Sequence, residues 1–384
     1  MQQMWLQQPR HIIGMMSGTS LDGIDICLSK FWVEDNKHRF ELLNYATYPM
    51  DIELKELIVN VLQNTISIEQ VSLCQKEITK CHADIVDMFL KEYGIDKSTV
   101  DLISVHGQTM WHAPSKAVEE LGHTLQLLSV PALAALTQTN SIGDFRTADI
   151  ALGGQGAPLV PIFDSVFLHS QEQDTVAVNI GGMANLTFIP KDRHQKVIAF
   201  DCGPGNILID ESMQKFFGKK FDNNGSFARE GKIIKRLWEN LCELEFINEN
   251  PPKSTGREFF NRQLLEDILE VSFVNTFPGE DIVRTVTEFT AWSIAENIRL
   301  FTNPKARVLI TGGGALNPII MERLQQELQH ATFVQPETFG INSDAKEALC
   351  FAYMGWRTLA GLPSSLASVT GAKQDAILGS VSFV

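Results

Sequence analysis

The sequence predicts an α/β protein built as two lobes, and three observations lead there. The chain has 384 residues, 44% of them hydrophobic and 20% charged, which is a globular composition longer than one core usually holds. Short apolar runs of strand character alternate with longer stretches of helical periodicity. A strand, a turn of small residues and a second strand occur in that order at 11–28 and again at 175–189. The two halves therefore look like variations on one supersecondary unit. The predicted boundaries are 1–170 for an N-terminal lobe, completed by a helix at 345–361, and 171–384 for a C-terminal lobe.

In the first lobe, apolar residues 11–16 run into Ser17-Gly18-Thr19-Ser20, and Leu21-Asp22-Gly23 leads out into Ile24-Asp25-Ile26-Cys27-Leu28. Strand residues on both sides of such a turn read as a β-hairpin. A third strand is predicted at 40–48, and helices at 52–62 and 67–91, where Ile68, Val71, Ile78, Ile85 and Met88 share one face. A buried strand at 100–105 ends in His106-Gly107-Gln108-Thr109; a strand at 125–128 and a helix at 131–137 follow. Residues 142–161 hold Asp144, Arg146, Asp149 and Gln155 among four glycines. They lack apolar alternation and read as loops, either surface connectors or a ligand site. A helix at 159–168 leaves the lobe.

The second lobe is predicted to open with strands at 175–180, 186–189 and 197–200. The third runs into Asp201-Cys202-Gly203-Pro204-Gly205-Asn206, with Pro204 in the first turn of a helix that reaches 217. Helices at 229–241 and 261–271 bracket the polar segment 251–258, and an amphipathic helix covers 281–301. A strand at 307–310 ends in Thr311-Gly312-Gly313-Gly314-Ala315-Leu316-Asn317, with a helix from Pro318. The last helix is predicted at 345–359, and the tail from Ser364 reads as irregular.

Charge narrows the partners. A formal net charge of −14 argues against a nucleic-acid or anionic-membrane surface, both of which need a basic footprint. The six cysteines are scattered without a Cys-x-x-Cys pair, which suits reduced thiols in a cytosolic protein better than a zinc site at Cys74, Cys81 and His82. The opening MQQMWLQQPR lacks a basic stretch followed by an apolar one, and no apolar run approaches the ~20 residues of a membrane span. A cytoplasmic protein is expected.

Four small-residue turns follow strands, at Ser17-Gly18-Thr19, Gly181-Gly182, Gly203-Pro204-Gly205 and Gly312-Gly313-Gly314. Spread over two lobes, they predict a nucleotide clamped in the cleft between them. Neither a P-loop lysine nor the dinucleotide-binding spacing accompanies them. Ser17, Thr19 and Ser20 offer hydroxyl donors to phosphate, and Asp22 and Asp25 offer hard oxygens to a magnesium ion, directly or through water. An ordinary hairpin turn with solvated carboxylates would use the same residue types. Phosphoryl transfer needs one carboxylate to orient or deprotonate the acceptor. Asp201, at the end of an apolar strand beside a Gly-Pro-Gly turn, is the first candidate, with helix N-capping as its structural alternative. Asp149 and Glu347 are further candidates, Glu347 equally readable as a first-turn acid. His106 and His112 flank a polar turn and read as hydrogen-bonded or substrate-contacting rather than metal-binding.

Taken together, these motifs resemble those of the anhydro-N-acetylmuramic acid kinases, in the superfamily of sugar kinases, chaperone ATPases and actin. The resemblance begins at Gly14-Met15-Met16-Ser17-Gly18-Thr19-Ser20-Leu21-Asp22-Gly23-Ile24-Asp25. It continues through Ser104–Thr109, Asp144–Arg146, Asp149–Pro161, Asn179–Gly182, Phe200–Asn206, Lys253–Glu258 and Gly312–Asn317, in family order and over nearly the whole chain. It implies two lobes, each a ribonuclease-H-like mixed sheet flanked by helices, with the active site in the inter-lobe cleft. ATP and Mg²⁺ would meet Gly18, Thr19, Ser20, Leu21, Asp22, Gly23, Ile24 and Asp25, then Gly181 and Gly182, and at the nucleoside end Gly312, Gly313, Gly314 and Asn317. Asp201 falls on the catalytic aspartate, while His106, Arg146, Asp149 and Glu347 fall on the sugar side. The implied reaction opens the 1,6-anhydro ring of 1,6-anhydro-N-acetylmuramate with water and phosphorylates O6, recycling peptidoglycan amino sugar; the family also suggests a homodimer. Two rival readings remain open from the residues alone: a nucleotide-gated switch or filament protein on the same fold, and a kinase for a free sugar hydroxyl.

Overall fold

The computed structural model describes residues 2–18, 21, 23–63, 67–115, 120–273 and 276–384. Thr19, Ser20 and Asp22 lie outside the described residues. The chain divides into two compact units, Met1–Phe167 with Gly340–Val384, and Leu168–Phe339.

The first unit opens with α1 (Gln2–Gln7), β1 (Arg10–Ser17), β2 (Ile24–Glu34) and β3 (Lys37–Tyr48), then α2 (Ile52–Leu62) and α3 (Ile68–Glu92). Ser67 starts α3 with a capping box, its hydroxyl accepting from Gln70 N while the Gln70 side chain accepts from Ser67 N. Next come β4 (Leu102–Val105), β5 (Gln108–Ala113), β6 (His123–Leu127), α4 (Val130–Thr137), β7 (Ser141–Gly143), α5 (Thr147–Ala151) and α6 (Pro161–Phe167). The second unit runs β8 (Thr175–Ile180), β9 (Met183–Ile189), β10 (Ile198–Pro204), α7 (Ile207–Phe217), α8 (Ser226–Glu230), α9 (Lys235–Cys242), α10 (Glu245–Asn248), α11 (Arg262–Val271), α12 (Gly279–Phe301), β11 (Arg307–Thr311), α13 (Pro318–Glu327) and β12 (Thr332–Val334). The chain then returns to the first unit with α14 (Lys346–Leu359), α15 (Ala367–Thr370) and β13 (Ser380–Ser382).

Both units use one sheet topology. The first has strand order β13-β7-β4-β1-β2-β3, and the second β10-β9-β8-β11-β12. In each, the first strand pairs antiparallel with the second and parallel with a later strand that follows a helical crossover. This is the mixed α/β sheet expected twice over. Each unit has its own core: Ile13, Met15, Ile24, Ile26, Ile78 and Phe89 are among its residues in the first, and Val176, Val178, Leu208, Phe289, Ile294 and Val308 in the second. Helix α14 lies close over the first sheet because glycines permit it. A Cβ on Gly14 would stand 2.0 Å from the Ala348 carbonyl oxygen, and one on Gly355 2.6 Å from Ser104 Oγ. Among the described residues, no helix is long and apolar enough to cross a membrane.

Four expectations need correction. The tail from 362 groups with the first unit, not the second lobe, and is not wholly irregular: β13 pairs antiparallel with β7. Residues 142–161 contain α5, whose start is fixed by Asp144 Oδ1 accepting from Thr147 N at 3.2 Å. The helix expected at 229–241 is two helices. The chain at Gly231 passes so close to α12 that a Cβ would meet the Glu280 oxygen at 2.0 Å, and Asp281 Oδ1 and Thr285 Oγ1 capture the amides of Lys232 and Ile234. Pro204 closes β10 rather than opening a helix, and α7 is N-capped at Asn206.

Candidate active site

In open α/β sheets, ligands gather beyond the carboxyl ends of the parallel strands. In the first unit β1, β4 and β7 end at Ser17, Val105 and Gly143, and the turns that follow are tied together. His106 N donates to Met15 O at 3.1 Å, Ser17 Oγ to Gly107 O at 3.2 Å, and Gln108 Nε2 to Gly18 O at 3.3 Å. Gln108 is buried and its Oε1 has no partner among the described residues. Leu21 takes a left-handed φ of 56°, and its side chain and that of Ile24 sit in the core, which leaves only their backbone for a ligand. Gly23 passes so near β3 that a Cβ would stand 2.8 Å from Tyr48 O. Asp25 Oδ1 accepts from Tyr45 OH at 2.9 Å and Thr47 Oγ1 at 2.6 Å.

The polar loop is organised around Arg146. Its Nε donates to His106 Nε2 at 2.9 Å and its Nη1 to Gly156 O at 2.7 Å. His106 Nδ1 lies 2.7 Å from Gly107 O, so this ring donates from Nδ1, accepts at Nε2 and is neutral. Burial, with Arg146 beside it, lowers the imidazole to about 3. Burial also lowers Arg146 to about 10, opposed by Glu347 and Asp149. Both nitrogens of His106 are thus engaged, Nε2 with Arg146 and Nδ1 with Gly107 O. Asp149 is completely buried; Oδ2 accepts from Gly156 N at 2.8 Å and Oδ1 from Thr370 Oγ1 at 2.8 Å. It braces the loop from within. Glu347, in the first turn of α14, stays open to solvent; partial desolvation and the Asp25 carboxylate push its carboxyl up.

In the second unit, the Gly181-Gly182 turn is held by the start of α7. Asn206 N donates to Gly181 O at 2.8 Å, while Gly205 N and Ile207 N donate to Gly182 O at 2.9 and 3.1 Å. These amides are consumed inside the protein. Gly312, at φ 84°, and Gly314 pack on the end of β8, where added Cβ atoms would meet Asn179 Oδ1 at 2.6 Å and Ile180 Cγ2 at 2.2 Å. Gly182 and Gly313 are exposed, with no atom within 3.5 Å of a Cβ at either, so they are the outward positions of their turns. Asn317 caps α13 through Oδ1, which accepts from Ile319 N at 3.1 Å.

Asp201 is no helix cap. A β-bulge between Asp201 and Gly203 kinks β10 where such irregularities often re-aim a side chain. Its Oδ2 accepts from Ser254 Oγ at 3.0 Å and from Thr255 N at 2.8 Å. Since both donors go to Oδ2, Oδ1 is the oxygen that can take a proton. Burial raises this carboxyl against those two hydrogen bonds; Glu258 raises it further and Lys253 lowers it. A carboxylate made more basic and held from one side suits a general base.

Three supporting contacts escaped the sequence reading, those of Thr370, Ser254 and Thr255. Thr370, in the short α15, has no local signature linking it to Asp149. Ser254 and Thr255 stood in a polar segment visible between two helices, but their contact with Asp201 is tertiary. Among the described residues, no group of three or more His, Cys, Asp or Glu side chains could hold a metal ion. The Asp25 carboxylate, with Oδ1 held by Tyr45 and Thr47, fits a hydrated divalent cation that takes its other ligands from water and phosphate rather than from a protein cage.

Among solved structures, the chain is similar to the (R)-2-hydroxyglutaryl-CoA dehydratase component A of Acidaminococcus fermentans (11% identity, 90% of this chain and 99% of that one, TM-score 0.42). It is also similar to a ROK hexokinase from Thermus thermophilus (12%, 90% and 99%, TM-score 0.35). A third is a ROK family glucokinase from Streptomyces griseus in complex with glucose and AMPPNP (10%, 90% and 100%, TM-score 0.37). The family comparison reaches much further: the family described as anhydro-N-acetylmuramic acid kinase matches residues 10–384. The chain therefore belongs to the anhydro-N-acetylmuramic acid kinase family and is an ATP-using phosphotransferase that acts on a sugar.

Proposed function

We propose that this kinase opens the 1,6-anhydro bridge of 1,6-anhydro-N-acetylmuramate with water while O6 takes the γ-phosphoryl group of ATP. The products are N-acetylmuramate 6-phosphate and ADP. Water's oxygen bonds to C1, the C1–O6 bond breaks, O6 bonds to the γ-phosphorus and ADP leaves. Asp201 Oδ1 takes the proton that the water loses. The observation that carries this reading is the Asp201 carboxylate, raised by burial and fixed through Oδ2 by Ser254 and Thr255.

The other candidates take supporting roles. Arg146, oriented by His106 and Gly156, offers a fixed guanidinium to the carboxylate of the sugar's lactyl group. Asp149 serves the sugar side by bracing the loop that carries Arg146. Gly18, Gly182 and Gly313 offer backbone to ATP, where amides and turns meet phosphate well. Mg²⁺, held by Asp25 and by Asp22 directly or through water, would supply charge neutralisation on the phosphates. The physiological reading is recycling of cell-wall amino sugar in the cytoplasm of a bacterium, by a homodimer.

The test is ADP release from the anhydro sugar and from a plain hexose, with Asp201→Asn beside the wild type. The reading expects turnover of the anhydro sugar, loss of turnover in Asp201→Asn, and ATP binding retained in that variant. Good activity on the hexose and none on the anhydro sugar would remove it.

A further inference from the structure

Lys253 is buried, with 8% of its surface exposed, a rare state for a lysine. Its ammonium donates to Phe246 O at 3.0 Å and Ile247 O at 2.8 Å. It also lies 5.0–5.7 Å from the ring centroids of Phe246, Phe301 and Phe200. Desolvating an ammonium is costly, and an apolar side chain would fill an aromatic box without that cost. The surroundings suggest why the charge is kept. The Lys253 carbonyl accepts from Asp201 N at 3.1 Å, and the next two residues supply the Ser254 and Thr255 donors to Asp201 Oδ2. Phe246 and Ile247 belong to α10, and Phe200 is the residue before Asp201. One side chain therefore ties the 253–255 segment to α10 and to the strand that carries the carboxylate.

We propose that Lys253 is a positioning residue for Asp201: its caged ammonium fixes the segment that aims this carboxylate and leaves Oδ1 open to take a proton. The proposal rests on Asp201 acting as the base. The charged and titratable groups around this pair are Glu258 and the Cys202 thiol beside Asp201, and Cys202 and Glu249 beside Lys253. Two effects of removing the ammonium act in the same direction. Its positive charge no longer favours ionised Asp201, and a loosened segment weakens the two hydrogen bonds that also favour it. The acid limb of the rate profile must then move to higher pH.

The test is the pH dependence of kcat and KM for wild type, Lys253→Met, Lys253→Arg and Asp201→Asn in the full chain. Lys253→Met keeps length and packs on the rings. It should lose about 10- to 100-fold in kcat, as expected for a misplaced catalytic group, with an acid limb at higher pH. Its KM for ATP should stay within about twofold, because only orientation at the reacting centre is lost. Lys253→Arg keeps charge and donors and should recover most of the rate. A folded Lys253→Met with unchanged kcat and acid limb overturns the proposal. If circular dichroism shows that Lys253→Met does not fold, Ser254→Ala takes its place. That change removes only the exposed hydroxyl's bond to Oδ2, and it too must move the acid limb to higher pH; an unmoved limb again overturns the proposal. Full turnover in Asp201→Asn would instead remove the underlying reading, whereas inactive Asp201→Asn with unaltered Lys253 variants removes the positioning role alone.

Discussion

Thr370→Val tests whether the C-terminal segment supports the sugar side. Thr370 is 1% exposed, and its hydroxyl donates to Asp149 Oδ1 at 2.8 Å. Valine has nearly the same shape, so the change opens no cavity and removes one hydrogen bond to a completely buried carboxylate. Such bonds contribute about 1.5–3 kcal/mol, and the orphaned oxygen has no water to turn to. For a unit of this size each kcal/mol moves Tm by about 2–4 °C, so the expected fall is about 3–12 °C. Gly156 N still holds Oδ2 at 2.8 Å, so the loop loosens rather than detaches. Because Gly156 O accepts from Arg146 Nη1 at 2.7 Å, KM for the sugar should also rise, while KM for ATP should not. Calorimetry and steady-state kinetics read both, and Thr370→Ser, which keeps the hydroxyl, should restore both. A Tm within about 1 °C of wild type, well below the cost of an orphaned buried carboxylate oxygen, with unchanged KM for the sugar, would refute the reasoning.

Asp201→Asn should change the pH dependence of stability. Burial raises the folded carboxyl above its ordinary 3.8, so the folded state holds this proton more tightly than the unfolded chain. Ionisation therefore costs stability as pH rises from the unfolded value to the folded one. Relative to wild type, the variant should gain over that window and hold the gain above it, as urea midpoints across pH would read; a constant difference contradicts the raised carboxyl. Two glycine variants should separate packing from binding. Gly314→Ala places a Cβ 2.2 Å from Ile180 Cγ2 and should destabilise by about 1–3 kcal/mol, the usual cost of overpacking. Gly182→Ala meets nothing within 4 Å and should leave Tm within about 1 °C, since surface changes are near neutral, yet raise KM for ATP. Equal Tm values for the two variants would show that the turns are not divided this way.

The strands and long helices were legible because their apolar periodicity is local: β8 and α2 begin and end where the sequence placed them, and α7 ends there. The failures are places where a distant element decides. Gly231 reads as one glycine in a helical run, yet the backbone of α12 stops the helix there. Residues 380–382 carry little strand signal, and pairing with β7 makes them β13. The same division holds at the candidate site. The turns and the carboxylate Asp201 stood out as motifs, but what holds Asp201, His106, Arg146 and Asp149 in place is tertiary. Lys253, Ser254, Thr255, Gly156 and Thr370 act on residues up to 221 positions away in the chain. The sequence also could not separate the outward Gly182 and Gly313 from the packed Gly312 and Gly314, because the four differ only in what lies beside them.

The most direct test of the central claim is the fate of the water oxygen. The enzyme, ATP, Mg²⁺ and 1,6-anhydro-N-acetylmuramate are incubated in ¹⁸O-water, and the phosphorylated product is analysed by mass spectrometry and by the isotope shift of its C1 resonance. The account predicts one ¹⁸O at C1, an unlabelled phosphoryl group on O6, and no product from Asp201→Asn. A phosphorylated product without the label at C1, or turnover that survives in Asp201→Asn, would contradict it.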